Sequence, residues 1–80
     1  MSVKLNEGDL VWWEDGEQSA PMLVEGEELH FQFGVKPFEL SRTQMQDVLN
    51  GEEEWTGSGR FFKCYDAVAD VPLADPQLPQ

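Results

Sequence analysis

The chain has 80 residues and a formal net charge of −11, from sixteen Asp and Glu against five Lys and Arg. This length allows one small domain with little room for a catalytic cleft, so we expect a protein that is not an enzyme. The 40% of apolar residues excludes a wholly disordered chain, and the shortage of cations disfavours direct binding to nucleic acid.

The first half of the chain predicts antiparallel strands in succession. The first strand, residues 9–13, is apolar and aromatic. The dipeptide Asp15-Gly16 predicts a two-residue hairpin turn of type I′, because both central positions of that turn need positive φ. The second strand, residues 17–24, contains Pro21, which indicates a sheet edge or a bulge because proline donates no ladder hydrogen bond.

A third strand and a short helix follow. Apolar and polar side chains alternate over residues 29–33, which predicts a strand with one buried face. Ser41 and Gln44 have the spacing of a capping box and predict the start of a helix. Apolar residues then recur at helical spacing. Asn50-Gly51 predicts that the helix ends with a residue in the left-handed backbone conformation.

Beyond the helix, residues 60–65 predict a further strand, with Phe61 and Tyr65 on the same face. The order of elements predicts an α+β fold: a small antiparallel β-sheet of three to five strands, or a partly closed barrel, with one short helix after the third strand. We expect a single domain over residues 1–71. Residues 72–80 contain three prolines and predict a flexible tail.

Acidic residues are concentrated in two tracts. Eight lie between residues 5 and 35, a stretch without Lys or Arg, and a second group lies within residues 47–54. Most fall in or beside turns, and those after the helix oppose its dipole, so we expect an electronegative surface along the sheet rims that binds a basic partner. A merely solvated surface explains the pattern about as well. The acidic residues expected to bind are Glu14, Asp15, Glu17, Glu25, Glu27, Glu28, Glu52, Glu53 and Glu54.

Two adjacent tryptophans, Trp12 and Trp13, stand beside these acidic residues. Neighbouring strand residues point to opposite faces, so one indole lies outside the core unless both faces of the sheet are covered. An exposed Trp among carboxylates has the composition of an interface hot spot. We therefore expect Trp12 or Trp13 to anchor the partner. Burial of both indoles is the alternative.

The residue types needed for catalysis or metal binding are scarce. His30 is the sole histidine and Cys64 the sole cysteine, so a four-ligand zinc set is missing and no local motif supports a Cys–His nucleophile. We expect no catalytic residues, no metal and no cofactor. The lone thiol, and the lack of a secretory leader or membrane span, predict a cytoplasmic protein without a membrane partner.

Residues 8–12, Gly-Asp-Leu-Val-Trp, resemble the opening strand of Tudor and PWWP modules. That resemblance implies recognition of methylated lysine by an aromatic cage through cation–π attraction. It supports one interpretation of the chain, a host adaptor or reader module that binds a basic or methylated peptide through exposed aromatic residues.

The acidic tracts at residues 5–35 and 47–54, on a compact β-rich domain, resemble the small acidic proteins of phages and other mobile elements. These include anti-CRISPR proteins and DNA mimics, which disable host nucleic-acid machinery. The resemblance implies an inhibitor that docks on a basic, nucleic-acid-binding surface of a host complex, such as a CRISPR effector. Its carboxylates would then imitate phosphates.

Overall fold

A computed structural model of the protein describes residues 2–32 and 38–73. The described elements are β1 (Leu10–Glu14), β2 (Ser19–Glu25), β3 (Glu28–Phe31), α1 (Arg42–Leu49), β4 (Arg60–Asp66) and β5 (Val71–Pro72). The strands pair antiparallel in the order β3-β2-β1-β4-β5. The predicted α+β class and the helix after the third strand are confirmed. Over the described residues the sheet is not closed, so the alternative of a partly closed barrel is wrong.

The core lies on one face of the sheet, which we call the inner face. Val11 and Trp13 of β1 point into it, and Met22 of β2 packs beside them. The helix covers this face through the fully buried Met45, while Leu5 fills the space from the N-terminal segment. Eight helical residues do not form a stable helix alone in water, so this packing keeps α1 folded.

The ends of α1 confirm their sequence signals. The Ser41 hydroxyl accepts a hydrogen bond from Gln44 N, and the Gln44 side chain accepts one from Ser41 N, which completes the capping box. Asn50 is the C-terminal cap, and Gly51 follows with φ of +75°. The Asn50 side chain also bonds the backbone of Val3 and so ties the helix end to the N-terminal segment.

One carboxylate is buried completely. Asp9 accepts hydrogen bonds from Asn6 N at 2.6 Å and Ala67 N at 2.7 Å, and Lys63 Nζ lies 3.1 Å from its Oδ2. Its polar atoms are therefore satisfied, as buried polar groups usually are. This acid links the N-terminal segment, β4 and the turn after β4, and it does not contribute to the acidic surface.

The β1–β2 turn differs from the prediction by one residue. Asp15 N donates to the Gln18 carbonyl at 3.1 Å, so Gly16 and Glu17 are the central residues of the turn. Of these two, only Gly16 has positive φ, at +94°, which fits a type II′ turn and not type I′. The Asp15 carboxylate accepts hydrogen bonds from the N–H groups of Glu17 and Gln18, which explains the shift.

β4 contains a bulge that changes the predicted faces. Two consecutive residues of β1 pair with Lys63 and Tyr65, so Cys64 is an extra residue between them. Tyr65 therefore lies opposite Leu10, on the face away from the core, and not on the face of Phe61 as simple alternation predicts.

Pro21 lies in an interior strand, and the register beside it is regular, so the predicted edge or bulge is wrong. Its carbonyl accepts a hydrogen bond from Gln32 N at 3.1 Å, just beyond the end of β3. The N–H and C=O of a strand residue point to the same side, so the missing donor faces the place where β3 has ended. The proline therefore interrupts no continuing ladder.

Two sequence predictions extend beyond the described residues. Residue 33, the end of the predicted third strand, lies outside them, as do residues 74–80 of the predicted tail. The predicted domain boundary at residue 71 falls within β5.

Gly59→Ala is expected to destabilise the protein more than Gly16→Ala. Both glycines have positive φ, so each substitution costs about 1–2 kcal/mol from the left-handed backbone. A Cβ at Gly59 would also lie 2.5 Å from the Glu14 carbonyl oxygen, whereas one at Gly16 would meet nothing within 4 Å. We expect a further loss of about 1–3 kcal/mol at Gly59, measured by urea unfolding. Equal losses would contradict this close approach.

Candidate protein-binding surface

The two adjacent tryptophans have different environments. Trp13 is 2% exposed, belongs to the core, and donates its Nε1–H to the Ser58 carbonyl at 3.0 Å. Trp12 is half-buried and points to the opposite face of the sheet. Of the two predicted anchors, therefore, Trp12 alone is at the surface, and Trp13 is a core residue.

The sheet face opposite the core is apolar at its centre. Trp12 lies between its cross-strand partners Pro21 and Phe62. Beside this row lies a second one, formed by Leu10 and its cross-strand partners Leu23 and Tyr65. No described element covers this face, since α1 packs on the inner side. The residues that we call the outer face are all half-buried: Leu10, Trp12, Pro21, Leu23, Phe62 and Tyr65.

One end of the outer face carries two glutamates directly opposite each other. Glu25 and Glu28 are cross-strand partners, and their side chains are 64% and 76% exposed. His30 Nε2 lies 3.5 Å from Glu25 Oε1 and 3.2 Å from Glu28 Oε2. Like charges directly opposite each other destabilise an antiparallel pair, by roughly 0.2–1 kcal/mol. The contact with His30 offsets part of this repulsion, and both carboxylates remain exposed.

Glu27, in the same turn, has a structural role. Its Oε2 accepts hydrogen bonds from Thr43 Oγ1 at 2.5 Å and from Thr43 N at 3.2 Å, at the N-terminus of α1. These hydrogen bonds, from the hydroxyl first and then the backbone, lower the pKa of Glu27 below its ordinary value of 4.5. An acidic side chain at this helix end is also favoured by the helix dipole.

The β1–β2 turn forms the other end of the outer face. Glu14 Oε1 accepts a hydrogen bond from Arg60 Nε at 2.8 Å. Backbone hydrogen bonds within the turn, first that from Gln18 and then that from Glu17, lower the pKa of Asp15. The Glu17 side chain is exposed. Glu14 and Asp15 thus support local structure, which their positions in the sequence do not reveal.

The predicted acidic residues form three groups and not one cluster. Asp15 and Glu17 lie before the start of β2, and Glu25 lies at its end, so about 20 Å of strand separates them. Glu53 and Glu54, with their neighbour Glu52, follow α1 on the helix side of the sheet and are exposed. The first two groups flank the outer face, and the third does not.

Two further acidic side chains lie near the Glu25 end of the sheet. Glu7 Oε1 accepts a hydrogen bond from Gly26 N at 2.8 Å. Asp70 accepts a hydrogen bond from the Tyr65 hydroxyl, which raises the pKa of Tyr65. The sequence does not indicate that these two residues lie near Glu25, because their position depends on how the strand ends meet.

The sequence does contain a signal for the apolar outer face. Residues 10–13 form an unbroken apolar run, which is typical of a strand with two apolar faces.

His30 and Cys64 do not form a reactive pair. They lie on β3 and β4, which are separated by two strands and so by about 14 Å. Burial raises the pKa of the Cys64 thiol. In the described parts of the chain, no three His, Cys, Asp or Glu side chains come together as a metal site. No helix described in the structure combines the length and apolar character needed to cross a bilayer.

Comparisons of the chain with protein-family models, with curated proteins and with solved structures gave no match. The chemistry of the surface is thus the basis for inferring a function.

Glu27→Gln is expected to lower stability at neutral pH, and the loss should vanish in acid. The pKa of Glu27 is lower in the folded protein than in the unfolded chain. Its contribution is therefore complete above the unfolded pKa and is lost as pH falls through the folded pKa. Thermal unfolding at neutral pH and at about pH 2 measures the difference from the parent protein.

The control is Glu17→Gln, which removes the same charge from an exposed side chain. It accounts for the relief of general repulsion in so acidic a protein. A similar effect of both variants on the pH dependence would contradict the role assigned to the Glu27–Thr43 hydrogen bonds.

Proposed function

We propose that this protein is a binding inhibitor that docks on a cationic, nucleic-acid-binding surface of another protein. The observation that carries the proposal is the exposed pair Glu25 and Glu28, placed directly opposite each other at one end of the outer face. The repulsion within this pair opposes sheet stability and is offset in part by His30, and the pair gains a favourable interaction when further cations approach it.

The distribution of cations supports the same proposal. Arg60 forms an ion pair with Glu14, and Lys63 forms ion pairs with Asp9 and Asp66. These two cations therefore neutralise carboxylates of the same chain. The remaining surface carboxylates raise the encounter rate with a basic partner and repel nucleic acid itself. A groove of Lys and Arg that normally holds phosphates would attract them. Anti-CRISPR proteins and DNA mimics are inhibitors of this type, and a CRISPR effector is one host complex with such a groove.

A reader or adaptor module is the second candidate, and the pairing of Trp12 with Phe62 on the outer face favours it. Two neighbouring rings can bind a methylated lysine through cation–π attraction. However, the Arg60 guanidinium already lies 5.4 Å from the centre of the Phe62 ring. That ring therefore has a cation from its own chain, and we prefer the inhibitor. Neither candidate assigns a catalytic residue, a metal or a cofactor.

The test is displacement of nucleic acid from the partner. The immobilised protein captures partners from a host lysate at low salt, and mass spectrometry identifies them. A captured protein is then purified with a labelled oligonucleotide bound and titrated with the acidic protein, while fluorescence anisotropy follows release. We expect release that weakens steeply as salt rises, because salt screens exposed charges. Binding that is insensitive to salt, or that leaves the oligonucleotide in place, would contradict the proposal.

Charge reversal tests which group of acidic residues binds the partner. Glu25→Lys with Glu28→Lys is expected to weaken partner binding by at least about tenfold. The matched control, Glu53→Lys with Glu54→Lys, makes the same change in net charge on the helix side of the sheet and should have a smaller effect. Equal losses would mean that net charge alone governs binding.

A further inference from the structure

We propose that the outer face is the docking surface, and that its occupant is an apolar strip of a partner protein flanked at both ends by Lys or Arg. This proposal rests on the proposed function and deepens it. It adds the face that is used, the spacing of the partner's cations, and a central apolar contact that a purely phosphate-like surface would not need.

The apolar character of the outer face is the first step. An antiparallel sheet covered on one side normally presents polar residues on the other. Here the side that no described element covers has Trp12 at its centre, between Pro21 and Phe62, and none of these three residues belongs to the core on the inner face. Trp is among the residues most enriched at the energetic centre of protein interfaces.

The charge at the two ends of this face is the second step. Glu25 and Glu28 lie at one end, and Asp15 and Glu17 lie at the other, about 20 Å away along β2. An occupant that satisfies both ends therefore carries cations about 20 Å apart, with apolar side chains between them to meet Trp12.

The acidic residues at both ends of the outer face disfavour three other occupants: a second copy of the chain, nucleic acid, and residues 74–80. Two copies of the chain placed face to face would bring carboxylates together in either orientation, because both ends of the face are acidic. Nucleic acid could stack on the aromatic rings, but its phosphates would meet the same carboxylates. Residues 74–80 contain one Asp and no Lys or Arg, so they cannot supply the required cations.

A designed peptide tests the spacing. The probe has two Arg residues at each end of a six-residue segment of alternating Val and Thr, which spans about 20 Å when extended. Its isomer has the same composition with all four Arg residues at one end. We expect the first peptide to bind about tenfold more tightly, measured by fluorescence anisotropy of the labelled peptide. Equal affinities would overturn the proposed spacing.

Trp12→Ser tests the apolar centre without changing the net charge. It is expected to weaken binding of the matched peptide by at least about tenfold, with retained folding checked by thermal unfolding. Val68→Ser is the control, since Val68 is 76% exposed and lies outside the outer face. If Trp12→Ser does not fold, Leu23→Ser replaces it. Unchanged affinity in a folded outer-face variant would overturn the proposal.

The remaining outcomes separate the two proposals. If the Glu25 and Glu28 reversals abolish partner binding while Trp12→Ser has no effect, the proposed apolar contact at the centre of the outer face is wrong and the proposed function stands. If Trp12→Ser abolishes binding and charge reversal has no effect, the proposed function is wrong. Three other results would each overturn the assigned occupant. The first is tighter binding of an oligothymidylate than of the peptide, and the second is self-association that Trp12→Ser disrupts. The third is tighter peptide binding after deletion of residues 74–80.

Discussion

The buried carboxylate of Asp9 joins parts of the chain that are far apart in sequence. It accepts hydrogen bonds from Asn6 and Ala67 and faces Lys63. Loss of one partner from a buried charge pair costs about 3–5 kcal/mol, a large share of the roughly 5–15 kcal/mol that stabilises a small domain. Asp9 also immediately precedes β1, so the same contacts hold β1 against β4. The identity of the outward-pointing residues depends on that alignment.

Acidic residues in this protein serve three different purposes, and the formal charge does not distinguish them. Asp9 is internal and organises the fold. Glu27 and Asp15 accept local hydrogen bonds at a helix end and in a turn, and their lowered pKa values reflect this. Glu25 and Glu28 stabilise nothing comparable, apart from their contact with one histidine. The number of carboxylates that have no role in the fold is thus smaller than the composition indicates.

Local signals in the sequence predicted the helix ends well, but they missed the type of the β1–β2 turn and the interior position of Pro21. Ser41 and Gln44 identified the start of the helix because a capping box involves only neighbouring residues. The faces of β4 were predicted incorrectly, because the bulge at Cys64 depends on pairing with a strand some fifty positions earlier in the chain. For the candidate surface too, features set by neighbouring residues were predictable and features set by strand pairing were not. An indole outside the core and beside acidic turns was predictable, but the choice of Trp12 and the separation of the acidic groups required the register of the sheet.

The Ser58 carbonyl accepts hydrogen bonds from two indoles, those of Trp13 and Trp55, at 3.0 and 3.1 Å. The third indole, that of Trp12, is on the other side of the sheet. The intrinsic fluorescence of the protein therefore comes from two distinct populations of emitters. Unfolding of the turn before β4 would change the emission of the first pair, whereas a molecule resting on the outer face would change or quench the emission of Trp12. Substitution of Trp12 by Phe would remove the second signal and leave an optical reporter of folding alone.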